Sequence, residues 1–151
     1  MINNLNNNSN TMKKAIFGSL ALVLGIGLMS FNAINLDFEK ENFQDPNKGK
    51  TIYNKTCLAC HQANGQGVPN AFPPLAKSDY LNADVNRAIR AVIHGLNGPI
   101  TVNGKKYNAT MTSQGLNDQQ VADVLTYVYS NWGNNNTKVT PTMVKAQRGK
   151  K

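Results

Sequence analysis

CLACH, residues 57–61, holds both cysteines of this 151-residue chain and one of its two histidines. Two thiols three positions apart, followed at once by an imidazole, suit three chemistries. A thioredoxin-type dithiol needs the pair at a helix start after a strand, within an alternating strand-helix pattern, and the surrounding sequence shows neither. A structural zinc site needs four converging ligands, but His61 is bonded directly to Cys60 and the only other imidazole is His94. The third chemistry is covalent haem attachment, in which both thiols add to the haem vinyl groups as thioethers and the adjacent histidine ligates iron. It uses all three residues at this spacing, so Cys57 and Cys60 are read as haem anchors and His61 as an axial iron ligand.

Iron in a porphyrin has a second axial position. Of the five methionines, Met1, Met12 and Met29 belong to the amino-terminal segment, which leaves Met111 and Met143 to compete with His94. Met111 lies in NATMTSQG (residues 108–115), about 50 residues beyond His61 and far enough along the chain to return on the opposite haem face. Met111 is the expected ligand, with His94, Met143 or an open position as alternatives. His94 also reads simply as a helix-terminal residue favoured by the dipole.

Around these residues the pattern is helical. Asp45-Pro46 reads as an N-cap and first-turn proline of a helix running to about Thr56 and delivering the chain into CLACH. Residues 62–74 hold two glycines and three prolines with no periodic face, and read as loop. Asp84 caps a second helix, with Val85, Ile89, Val92 and Ile93 at helical spacing until His94-Gly95. ITVNGKKY (100–107) alternates around Asn103-Gly104, a hairpin signal. A third helix starts at Asn117 or Asp118, with Gln120 placed for a capping box; its apolar face is Val121, Val124, Leu125, Val128 and Trp132, and residues 134–136 end it. The expected fold class is all-α, three to four helices around one covalently bound haem, with one small β-hairpin. A body of about 90 residues makes a thin core by itself, and a porphyrin supplies the missing apolar volume.

The ends of the chain carry other signals. Lys13 and Lys14 precede an apolar run at residues 15–31, the charged and apolar regions of a secretory signal. Residues 1–33 are therefore expected to be a signal peptide, or alternatively an uncleaved anchor, with translation starting at Met12 and residues 1–11 an over-called extension. Residues 34–44 read as a linker, 45–136 as the haem domain, and 137–151 as a basic tail. The formal charge of +8 falls to an excess of six without the two signal lysines, and Lys138, Lys145, Arg148, Lys150 and Lys151 supply five of those. A nucleic-acid face would spread its basic residues over a folded surface, so nucleic acid is excluded as a partner.

The stretch from about Asp45 to Trp132 resembles a class I (mitochondrial-type) monohaem cytochrome c. It has an opening helix with Gly49 and Tyr53, then CLACH, then FPPL (72–75), a methionine loop and a closing helix with LTYV (125–128). FPPLAKSDYL, HGLNGPITVNGKKYNATM and NWGNNNTKVTP further resemble small cytochrome c units fused to, or partnering, bacterial copper nitrite reductases, terminal oxidases and periplasmic dehydrogenases. In that subgroup proline usually follows the methionine, where this chain has Thr112. The resemblance implies the cytochrome c fold, a close crossing of first and last helices with Gly49 against Tyr127, and a proline carbonyl on the ligand histidine's Nδ1, matched by Pro73 or alternatively Pro74. It implies one haem c per chain and one-electron transfer between respiratory partners, with a quinol or dehydrogenase donor and a terminal oxidase or nitrite reductase acceptor. The protein is then expected to be an exported, periplasmic monomer without enzymatic activity of its own. The alternative is a fixed electron-input haem subunit of a membrane-associated complex. Tyr80, Tyr107 and Trp132 are candidate partners for the haem carboxylates, although ordinary packing accounts for each.

Overall fold

A computed structural model describes residues 46–150. The signal segment, the linker and the Asp45 cap lie outside them. Among the described residues the order is α1 (Pro46–Thr56), α2 (Leu58–His61), α3 (Asp79–Ala83), α4 (Val85–His94), β1 (Ile100–Val102), β2 (Lys105–Tyr107), α5 (Asp118–Tyr129) and α6 (Pro141–Arg148). No helix among them is long and apolar enough to cross a membrane.

Local chemistry accounts for most boundaries. Asp84 accepts hydrogen bonds from the amides of Asn86 and Arg87 and so starts α4. Asn117 and Gln120 form the reciprocal capping box of α5, at 2.9 and 3.0 Å. In the hairpin, Ile100 pairs with Tyr107 and Val102 with Lys105; the intervening Asn103 and Gly104 both have positive φ, as a two-residue type I′ turn requires. The single turn α3 is started by Ser78, whose hydroxyl accepts from the amide of Leu81.

The core joins α1, α4, α5 and α6 around Tyr53, Ile89, Val121, Val124, Val139 and Val144, all at most 1% exposed. α1 lies across α5 with Gly49 against Tyr127 and Asp123. α5 ends at Tyr129, earlier than the apolar spacing predicts. Ser130 caps it, and Trp132 follows in a left-handed conformation with φ +54°. That turn takes the indole off the helix face and lays it over Gly65, where it packs against Tyr53 and Tyr127 with ring centroids 5.1 and 5.6 Å away. Past Asn136 the chain returns to the body. Thr140 caps α6, Val139 and Val144 are fully buried, and the Gln147 side chain bonds Arg90 and Asn86 of α4.

Candidate functional site

The CLACH stretch occupies the joint between α1 and α2. The amide of Cys57 continues the α1 ladder by bonding the Tyr53 carbonyl at 2.9 Å, and the amide of His61 bonds the Cys57 carbonyl at 2.9 Å. One helical turn therefore sets Cys57, Cys60 and His61 on neighbouring positions of a single face. Tyr53 supports this turn from below, its hydroxyl donating to the Gln62 carbonyl at 2.6 Å. Both cysteines are half-buried and carry no disulfide. Burial pushes the Cys57 thiol up, against the opposing contact of the Thr56 hydroxyl 3.3 Å from its sulfur.

His61 is buried, and its Nδ1 lies 3.0 Å from the Pro73 carbonyl. A carbonyl can only accept, so Nδ1 carries the proton and Nε2 presents its lone pair. Burial holds the imidazole below its ordinary range, opposed by the Pro73 carbonyl, which favours the charged ring. The ring is therefore neutral at pH 7, the state a metal ligand requires.

Met111 comes from a separate segment of the chain, between β2 and α5. Its amide and carbonyl exchange hydrogen bonds with Leu96, at 2.9 and 2.8 Å. Gly95 permits this pairing. It ends α4 at φ +83°, and a Cβ on it would stand 2.5 Å from the Met111 carbonyl. Beyond the methionine, the Ser113 hydroxyl bonds the Ile93 carbonyl at 2.7 Å and the Gln114 amide bonds the Val92 carbonyl at 3.1 Å. Thr112 replaces the subgroup's proline, and these bonds to the end of α4 anchor the loop.

Cys57, His61, Pro73 and Met111 line two adjoining spaces of about 730 and 720 Å³, both open to solvent in part. The first is walled by Leu81, Ala88, Val92, Val124, Leu125 and Val128; the second, by Cys60, Phe72, Tyr107 and Thr110. A cleft walled mainly by apolar side chains, with these few polar groups converging on it, suits a flat hydrophobic cofactor. Its donor set of two thiols, one neutral imidazole and one thioether suits covalent porphyrin and soft-ligand iron. The residues thus fit a haem.

Other candidates fall elsewhere. His94 sits on the outer side of α4, with Nε2 3.3 Å from the Gln147 carbonyl, and does not line either space. Met143 packs on the core from α6. Tyr80 and Tyr107 do wall the cavity, whereas Trp132 belongs to the aromatic cluster with Tyr53 and Tyr127. Sequence reasoning passed over Arg87. Its guanidinium stacks 3.7 Å over the Tyr80 ring, and its buried Nε has no hydrogen-bond partner among the described residues. Only the fold brings it beside the cavity wall. Gly95 was likewise read as a helix stop, although the direct Gly95-Leu96 junction is what receives Met111.

The sequence profile described as Cytochrome c matches residues 46–132, more than half of the chain. The chain belongs to the cytochrome c family. This cytochrome c is similar to cytochrome c-552 of Thermus thermophilus, 43% identical over 90 residues that cover 56% of the chain and 68% of that protein. It is also similar to the cytochrome c subunit of a quinone alcohol dehydrogenase of Gluconobacter oxydans, 31% identical over 91 residues, and to the gluconate 2-dehydrogenase cytochrome c subunit of Pantoea cypripedii, 34% identical over 94. Those alignments cover 59% and 60% of the chain but only 19% and 21% of the two subunits. As a cytochrome c the protein is an electron carrier with covalently attached haem c, and it exchanges electrons with redox proteins. The mostly helical fold with one two-stranded sheet is the family's.

Proposed function

We propose that this cytochrome c carries single electrons between exported respiratory proteins, with Cys57 and Cys60 as the thioether anchors and His61 and Met111 as the axial iron ligands. The observation that supports this reading is the convergence of Cys57, His61 and Met111 on one apolar cavity from separate parts of the chain. When bound, the haem supplies one-electron exchange between ferrous and ferric iron. His61 donates Nδ1–H to Pro73, which holds the ring in one tautomer and raises the basicity of Nε2. Met111 offers a soft thioether that favours ferrous iron and raises the potential. With His61 and Met111 both holding the iron, the chain would leave no position there for a substrate, which supports reading it as a carrier and not an enzyme in its own right. Residues 1–33 direct export to the periplasm, the haem domain occupies 45–136, and the chain from 137 onward packs on it through α6. The donor is a quinol complex or dehydrogenase, and the acceptor a terminal oxidase or nitrite reductase.

Met111→Ala tests the ligand pair. The wild-type protein, matured with a haem-attachment system, should show the methionine-to-iron charge-transfer absorption, and the variant should lose it while keeping covalent haem. Persistence of the band in the variant overturns Met111 as ligand.

The likeness to dehydrogenase cytochrome subunits supports a second reading, a haem subunit fixed in a membrane-associated complex. Fractionation of the native host separates the two. Recovery solely with membranes, resistant to salt washing, would favour the fixed subunit; recovery in the periplasmic fraction would favour the free carrier.

A further inference from the structure

A second cluster of basic groups lies on the outer side of α4. Arg87, Arg90 and His94 recur at positions i, i+3 and i+7, which one face of a helix brings together. With Ala91, Gly95 and Leu96 they line an open groove of about 800 Å³, and no carboxylate is among its described lining residues. Both guanidinium groups are held in place before anything binds. Arg87 stacks on the Tyr80 ring at 3.7 Å and donates to the Tyr80 carbonyl, while Arg90 donates to Gln147 Oε1 at 2.7 Å. Gln147 is itself buried and its side-chain amide donates to Asn86 Oδ1 at 3.1 Å, so α6 sets the direction of Arg90. His94 Nε2 donates to the Gln147 carbonyl at 3.3 Å, which places the imidazole at the rim. Each arginine bond takes a single N–H, and a guanidinium carries several more in its planar fork. Two like charges one turn apart also repel each other. Asp84, 3.9 Å from Arg90, offsets part of that repulsion, but its carboxylate already accepts the amides of Asn86 and Arg87. The groove also reaches the haem site. Ala91 and Leu96 line both the groove and the first haem space, and Leu96 is the residue whose backbone pairs with Met111.

We propose that this groove binds a multivalent oxyanion of the phosphate class, and that its occupancy is linked to the redox state of the haem. Planar guanidinium forks match pairs of oxygens on one anion, a fit that a spherical halide cannot reproduce. Forks already oriented by Tyr80 and Gln147 lose little further freedom when the anion arrives, and the anion relieves the repulsion between the two arginines. A negative charge there, across the shared Ala91 and Leu96 wall, favours ferric iron. By reciprocity the ferric protein then binds the anion more tightly by the same factor. The linkage rests on the reading of the cavity as a haem site with Met111 on the iron; the binding itself does not.

Inorganic phosphate tests both parts, added to the holoprotein at neutral pH with the ionic strength held constant by sodium chloride. In the ferrous protein the side-chain Nε–H NMR signals of Arg87 and Arg90 should shift and saturate. His94→Glu puts a carboxylate at the rim from an exposed position and should weaken binding roughly tenfold or more. Arg90→Gln, which removes one fork, should weaken it to a similar degree. Lys50→Gln, which removes one positive charge from α1, should change it by less than about twofold, separating the groove from the net charge. The ferric protein should bind phosphate roughly threefold more tightly than the ferrous. Since a tenfold ratio corresponds to about 59 mV for one electron, the potential should fall to a plateau about 28 mV lower as phosphate is added. Signals that drift without saturating, or that respond alike in wild type, His94→Glu and Arg90→Gln, overturn the site. Saturable binding with equal affinity in the two redox states overturns the linkage. The optical spectrum keeps the ligand assignment separate: a wild-type protein without the methionine-to-iron band before phosphate is added contradicts that assignment, while the arginine signals still decide the groove.

Discussion

Gly49 and Tyr127 meet where α1 crosses α5 with no room for a methyl group between them. A Cβ on Gly49 would lie 2.7 Å from the Cβ of Tyr127 and would run into the Asp123 carbonyl. Replacing a mid-helix glycine with alanine ordinarily gains about 1 kcal/mol of helix propensity. Overpacking a tight contact costs about 1–3 kcal/mol, and here the obstacle is backbone, which cannot rotate away. Gly49→Ala should therefore lose about 1–2 kcal/mol net and Gly49→Val more, in guanidinium unfolding of the holoprotein. A stabilised alanine variant would show that the helices can separate freely.

Arg87 holds a cation against Tyr80, which walls the haem cavity. A positive charge there disfavours ferric iron, the more positive state. Arg87→Gln should lower the reduction potential by on the order of tens of millivolts, the size expected for one partly screened charge near the cofactor, while leaving the methionine-to-iron band in place. Redox titration of both proteins measures it; an unchanged or higher potential contradicts the electrostatic role.

The final helix touches both ends of the methionine loop. His94 and Arg90 of α4 bond Gln147, and Arg148 reaches Asp118 and the Leu116 carbonyl, each at 2.7 Å. Truncation after Asn136 removes these bonds and uncovers Val128 and its neighbours from Val139 and Val144. Burial of two valines alone is worth about 3 kcal/mol, so the melting temperature should drop by many degrees. The truncated protein should also lose the methionine-to-iron band at a lower pH than wild type. Arg148→Ala alone, an exposed ion pair, should cost less than about 1 kcal/mol.

Hydrogen bonds from the amides of Arg87 and Asn86, aided by the charges of Arg87 and Arg90, hold the Asp84 carboxyl below the usual carboxylate range. Its folded pKa is lower than its unfolded value, so the stabilisation is complete above about pH 4, the unfolded pKa, and is lost as the pH falls through the folded one. Asp84→Ala should cost about 1 kcal/mol at pH 7. The gap between the two proteins in urea unfolding should close as the buffer is taken below pH 4, and a gap that stays constant would rule out the charged cap.

Much of the site was legible because its chemistry is local. CLACH places two thiols and an imidazole on one turn whatever the rest of the chain does, and Asp84, Asn117 and Asn103-Gly104 act through their immediate neighbours. Trp132 shows where that locality ends. Its spacing continues the apolar face of α5, but the turn at Ser130 removes it to the aromatic cluster, because packing against Gly65 and Tyr53 outweighs three more residues of helix. Short α3 and the helix within the tail were not legible as elements, since a single turn is too brief for periodicity and the basic composition hides two buried valines; that part of residues 138–151 packs on the body follows from the resemblance of its VT…V…R pattern.

Sequence alone determined that Cys57, Cys60 and His61 share one turn in the spacing we propose for haem attachment, since covalent chemistry depends on adjacent residues. Tertiary structure decided what the spacing left open: the pairing of Met111 with Leu96, the choice of Pro73 over Pro74 for His61, and the stacking of Arg87 on Tyr80. These depend on how distant segments cross, and no short-range pattern encodes a crossing.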